Sequence, residues 1–438
     1  MKIAFIPIDN RPVCYNLAKD ITAIDKDLEI FLPPREFLGD LKKSADTEAL
    51  FKWLKDLPRT DCMIISLDTI AYGGLIPSRR GGESLNEVKS RIERIKPYLE
   101  GKKVHAFSSI MRIPNNNYND EEKEYWKDYG KKIFEYSYNL HKLGKAETDV
   151  PKNILEDYLG TRKRNFEINK LYLQWQKEGL FETLIFSKDD CAEFGLNVKE
   201  AQELEKLGGK TKTGADEIPL TLLARAIKKK IKVHPVFAEP DFKHCISNYE
   251  DVSIEKSVLS QLELGGFDIS DSENADIILY VNNFVEKQGE LVMGWDTKPF
   301  DSEFTPPDKF FAIADVRFAN GADNYFVEAI LPYINSDNFY GYSAWNTSAN
   351  TLGSLLAGIK TAFKTEKYDR EAFLNLQKIR LLDDWAYQAN VRAKISSPCD
   401  IKSLMRPYEE RISEALDSKC EADYIYPWNR KFEIEVVL

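Results

Sequence analysis

Histidine and cysteine are scarce and scattered in this chain of 438 residues. The four histidines (His105, His141, His234, His244) include no close pair with metal-ligand spacing. The six cysteines (Cys14, Cys62, Cys191, Cys245, Cys399, Cys420) form no C-x-x-C. A zinc or iron centre built on Cys and His is therefore not expected, and the thiols read as reduced, as in a cytoplasmic protein. Phosphate-binding glycine motifs are also missing. There is no GxxxxGK[ST], no GxGxxG after a strand and no GxSxG elbow. These absences remove support for ATP chemistry, nicotinamide chemistry and a serine-hydrolase nucleophile, and no cofactor is expected. Apolar runs are short. None reaches membrane-spanning length, and MKIAFIPIDNRP has too brief an apolar stretch to be a signal h-region. Basic charge is in deficit, with a net charge of −10, which argues against a nucleic-acid footprint and against an anionic membrane surface.

What is present is a chain with 43% hydrophobic residues, enough for one large domain or two ordinary ones. Short apolar runs alternate with longer amphipathic ones. The strand candidates are IAFIPI (3–8), LEIFL (28–32), CMIISL (62–67), VHAFSSI (104–110), TLIFS (183–187), KVHPVF (232–237), ADIILYV (275–281), FFAIA (310–314) and FYGYS (339–343), with KTKT (210–213) a weak tenth. The alternation predicts an α/β fold with a mostly parallel sheet, arranged as a barrel-like (β/α) core or as two doubly wound sheets with a site between them. The α/β catalytic core is expected over 1–365, with a charged, aromatic-rich helical insertion at about 118–180. Residues 366–438 are expected to be helical and to end in the alternating strand of RKFEIEVVL.

The strand ends carry unusual polar residues. They include Asp9 and Arg11; Asp68, Tyr72 and Arg79 with Arg80; Arg112; Asp189 and Asp190; Asp216 and Glu217; Asp315 and Asn320; and Trp345 with Asn346. Ligands of parallel α/β proteins bind at the carboxyl ends of strands, so these positions are the candidate site. Turn and cap preferences explain any single Asp or Asn. They do not call for Arg112, Trp345 and the Tyr72-Gly73-Gly74 run at one edge.

The sharpest local signal is Gly214-Ala215-Asp216-Glu217, just before the helical run IPLTLLARAIKKK. One acid would cap the helix; two adjacent acids can split their pKa values, as general acid catalysis requires. GADE resembles the His-x-Gly-Gly/Ala-Asp-Glu signature of family 20 β-N-acetylhexosaminidases, with Lys212 where that family has His. The resemblance implies Glu217 as general acid and Asp216 as the group orienting a substrate acetamide. Asp189-Asp190 is similar to the Asp-Asp pair of family 84 hexosaminidases, and supplies supporting or alternative catalytic acids. Over nearly its whole length the chain also resembles an uncharacterised bacterial domain-of-unknown-function family, through PIDNRPV, SLDTIAYGGLIPSR, SKDDCAEFGLN, GADEIPLTLLARA, IADVRFANGAD, AWNTSANTLG and YPWNRKFE.

The expected function is hydrolysis of a glycosidic bond in a small amino-sugar-containing glycan. Glu217, Asp216, Asp189 and Asp190 are the catalytic candidates. Asp9, Arg11, Asp68, Tyr72, Arg79, Arg112, Asp315, Asn320, Trp345 and Asn346 are the substrate-binding ones. Two alternatives stand beside it. One is a divalent-metal-dependent hydrolase, or an isomerase of a sugar acid or sugar phosphate, with Asp9, Asp68, Asp189 and Asp190 as ligands. The other is a noncatalytic carbohydrate-binding protein.

Overall fold

A computed structural model describes residues 1–397 and 400–438, so Cys399 lies outside the described residues. No described helix is long and apolar enough to cross a membrane. The chain divides into two compact units. The first comprises Met1–Tyr15, Glu29–Pro219 and Tyr249–Asp251; the second comprises Asn16–Leu28, Leu220–Asn248 and Val252–Leu438.

The first unit is built on six parallel strands: β1 (Lys2–Ile6), β2 (Glu29–Phe31), β3 (Cys62–Ser66), β4 (Lys103–Ile110), β5 (Thr183–Lys188) and β6 (Thr211–Thr213). Their order is β2-β1-β3-β4-β5-β6. The central strands are buried on both faces, as CMIIS and TLIFSK are throughout, which is why they read as continuous apolar runs rather than alternating ones. Between β4 and β5 the chain makes two long helices, Trp126–Leu143 and Lys152–Lys177. Met111, Ile113, Trp126, Ile133, Val150, Tyr158 and Leu196 pack there as an apolar cluster of their own.

The second unit holds β7 (Lys232–Phe237), β8 (Asp268–Ile269), β9 (Ile277–Asn282), β10 (Gly289–Glu290), β11 (Phe310–Asp315), β12 (Phe318–Ala319) and β13 (Phe339–Ser343). Five of these form a parallel sheet in the order β13-β11-β9-β7-β8, and β10 pairs with β12. An antiparallel pair, β14 (Asp423–Ile425) and β15 (Glu435–Val437), lies near the end of the chain.

Counted from its first strand, each sheet runs 2-1-3-4-5, and the first adds a sixth strand. The winding goes one way for the first crossover and then reverses. This is the doubly wound order, and the reversal leaves a crevice at the carboxyl ends of the first and third strands. It also explains why the described strands form open sheets and not a ring. A barrel must leave its first strand one side for the last, whereas β1 is paired by both β2 and β3, and β7 by both β8 and β9.

Candidate functional site

In the first unit the winding reverses between β1 and β3. Leaving β1, the chain turns at Asp9 and enters the helix Pro12–Thr22, whose leading proline lacks only an N–H that no helix needs there. Asp9 is buried and accepts three bonds from the Arg11 side chain, at 2.8, 3.0 and 3.1 Å, and one from its backbone N–H at 3.0 Å. The same guanidinium donates to Asp216 at 2.5 and 3.3 Å. Cys14 lies beside it, with Sγ 3.8 Å from Arg11 Nη2. Carboxylate oxygens of Asp9 and Asp216 and the Cys14 sulfur lie within 4.8 Å of one another, a triangle that could hold a metal ion. Here the Arg11 guanidinium binds both acids, supplying the positive charge that a cation would bring.

The β3 end is tied to its neighbours. The Thr69 hydroxyl donates to the carbonyl of Pro7 at 2.7 Å. Asp68 accepts from the Ser109 backbone N–H at 2.7 Å and from the Ser108 hydroxyl at 3.3 Å. Burial pushes its carboxyl up to about 6, against the pull of those bonds. Asp68 therefore joins the β3 end to the β4 end. Tyr72 is buried, and Gly73-Gly74 answer a packing demand. Gly74 has φ +131, and a Cβ on it would stand 3.0 Å from the carbonyl oxygen of Ile8. The glycine run lets this loop lie against the segment that carries Asp9.

At the β4 and β5 ends the carboxylates gather. Arg112 meets Asp190 at 3.0 Å, Asp189 at 3.6 Å, Glu121 at 2.9 Å and Glu122 at 3.0 Å. Arg79, almost fully buried, binds the same two glutamates at 2.9 and 3.1 Å. Burial would discharge Arg112, but Asp190, Glu121, Glu122 and Asp189 outweigh it and hold its pKa well above the usual arginine value. Asp189 is pushed up to about 7, first by burial and then by the charge of Asp190, with Arg112 opposing. Its side chain keeps 20% of its surface exposed, so water reaches it. Asp190 has φ +45, an uncommon backbone state for a residue other than glycine. Lys188 is neutralised separately by Asp251.

After β6, Gly214 takes φ +92 and turns the chain so that Asp216 meets Arg11. Asp216 is partly exposed, whereas Glu217 is fully buried. The two acids of GADE thus have different surroundings. Asp216 sits among the ionic groups described above.

Asp315, Asn320, Trp345 and Asn346 belong to the second unit. Asp315 is fully buried and accepts from Asn282 at 2.8 Å, the Asp323 N–H at 2.9 Å and the Tyr342 hydroxyl at 3.2 Å. Burial and the Asp323 charge push its carboxyl up to about 7. Arg317, also fully buried, binds Asn282, the Lys298 carbonyl and Glu239 at 2.9–3.0 Å. Trp345 is only 2% exposed and has no face open to stack on a sugar. Asn320 and Asn346 take φ near +60 and bond to each other at 2.9 Å. These residues brace the strand ends of their own unit.

Sequence reasoning missed Glu121 and Glu122. They lie in NDEEKE, an acidic run of the kind that normally forms a solvated face, yet Glu122 is 3% exposed. Nothing local marks it; only the fold brings Arg79 and Arg112 to it. Cys14 was read as a scattered thiol, and its place beside Arg11 has no sequence signal either.

No curated protein matches the chain. Among solved structures, a UGT transferase from Siraitia grosvenorii in complex with UDP covers 94% of this chain and 99% of its own, at 9% identity. Its TM-score is 0.22, too low to support a structural correspondence. A family model described as "Protein of unknown function (DUF4127)" matches residues 3–437, in line with the near full-length resemblance carried by PIDNRPV through YPWNRKFE. The strand-end segments described above are therefore features of a chain that belongs to the DUF4127 family of proteins of unknown function.

Proposed function

We propose that the first unit is an acid–base hydrolase acting on a glycosidic bond in a small glycan containing an amino sugar, with Asp189 as the proton-donating group. One observation carries this reading: a solvent-reachable carboxyl held up to about 7, beside acids that are paired with guanidiniums. Such a group keeps a proton near neutral pH and can give it to a leaving oxygen. Asp190 and Asp216 would orient the substrate. An acetamide on the sugar would serve as nucleophile, which removes the need for a second protein nucleophile. Glu217, the acid favoured by the GADE resemblance, is fully buried, so Asp189 is the better-placed donor in this reading.

The test is turnover on a panel of aryl glycosides of N-acetylated sugars, with the native protein and Asp189→Asn. Loss of the acid is expected to lower the rate about 10²–10⁴-fold and to remove the basic limb of the pH profile near 7. Equal turnover by the variant, or none by the native protein across the panel, rejects the reading. A second reading rests on the Asp9–Cys14–Asp216 triangle, which would bind a divalent ion if Arg11 moved aside. Activity abolished by a chelator and restored by one added metal would favour it.

A further inference from the structure

A separate hollow opens in the second unit at the start of β13, the edge opposite that unit's polar strand ends. Its volume is about 230 Å³, roughly eight waters' share of liquid at about 30 Å³ each. That is smaller than a typical drug-sized pocket and suits one six-membered ring. Phe339 and Phe373 form its apolar base, and Tyr340 and Tyr368 line it as half-exposed rings. The rings are fixed from behind. Tyr340 packs edge-on to Phe310 and Phe363 at 5.2 and 5.4 Å, and Tyr368 leans on Phe373 at 6.0 Å.

Three polar groups of this hollow are unused, while Ser336 and Thr365 are bonded to backbone carbonyls. Among the described residues neither the Tyr340 nor the Tyr368 hydroxyl donates to a protein acceptor, and no partner faces the Asp337 carboxylate. Arg370 gives one bond to Asn335 at 2.8 Å, and Lys364 reaches Asp276 only at 3.7 Å. Two cations and one carboxylate thus share the lining of the hollow with its aromatic rings. An aromatic ring with a free hydroxyl presents an apolar face and a polar tip to a ligand. A planar guanidinium recognises a carboxylate through two parallel bonds.

We propose that this hollow is a binding subsite for one carboxylated monosaccharide unit, its ring against Tyr340 and Tyr368 and its carboxylate on Arg370 and Lys364. It takes no part in chemistry and does not depend on the hydrolase reading, whose groups lie in the other unit.

The experiment is an NMR saturation-transfer and titration series on the full chain, using D-glucuronate and its neutral counterpart D-glucose. Saturable millimolar binding of D-glucuronate is expected, with D-glucose at least tenfold weaker. Arg370→Ala should bring glucuronate down to the glucose level, and Tyr368→Ala should weaken both sugars about equally. Both side chains are exposed, so folding is not at stake, and Tyr340→Phe, which removes only a hydroxyl, offers a milder third variant. Native protein with no saturable glucuronate binding, or binding that survives both alanine variants, overturns the proposal. Turnover lost in Asp189→Asn with glucuronate binding intact would separate this subsite from the proposed active site.

Discussion

Removing Arg11 tests the electrostatic design of the first unit directly. The guanidinium is shared between Asp9 and Asp216, and all three side chains are largely buried, with 6%, 5% and 13% of their surfaces exposed. In Arg11→Met the apolar stem survives and the charge goes. Two carboxylates with oxygens within 4.8 Å then face each other without a counter-ion. Removing one partner of a buried pair typically costs about 3–5 kcal/mol, mostly because the remaining charge is stranded. Urea denaturation of the variant should show a loss of that size at pH 8. Adding Asp9→Asn to Arg11→Met should recover much of the loss, which a double-mutant cycle would measure. The variant should also gain affinity for zinc or cadmium at the Asp9–Cys14–Asp216 triangle, since the competing cation is gone. A loss below about 1 kcal/mol would refute the shared-guanidinium account.

Three further outcomes follow from the geometry. Gly74→Ala forces a left-handed backbone state and a Cβ 3.0 Å from the Ile8 carbonyl oxygen, and thermal denaturation should show about 1–3 kcal/mol of destabilisation. Asp315 and Asp384 are both held up to about 7, well above the ~3.9 of an unfolded aspartate, so the folded state binds their protons more tightly. Their contribution is full below about pH 4 and is lost as pH rises through about 7, so Asp315→Asn should flatten the decline in Tm over that window. Glu122→Gln removes one of the two glutamates shared by Arg79 and Arg112, and denaturation at neutral pH should show a loss; a silent variant would return NDEEKE to the status of a solvated face.

Much of the fold was legible from local pattern. All ten runs read as strands are strands; the central ones were legible because parallel strands buried on both faces need apolar stretches whatever their neighbours, whereas KTKT is a polar strand at the sheet edge. The glycine in GADE was likewise readable as a turn residue, and it has positive φ. The short strands β8, β10 and β12, two residues each, carry no such signal and owe their existence to a partner already in place.

The sequence by itself determined which segments become strands and that charged, aromatic and glycine residues cluster just after them. Apolar periodicity and turn chemistry act over a few residues, so both are written locally. Strand order is not. Whether β1 keeps an open side or is flanked by β2 and β3 depends on crossovers tens of residues long, and the same strand list serves a ring or two open sheets. That choice then fixed the sites. It put Asp315 and Trp345 in a unit of their own and brought Arg11 to Asp216 across 205 residues of chain. It also separated the two acids of GADE by burial, since an acid's role depends on the charges and solvent around it, and only the folded chain supplies those.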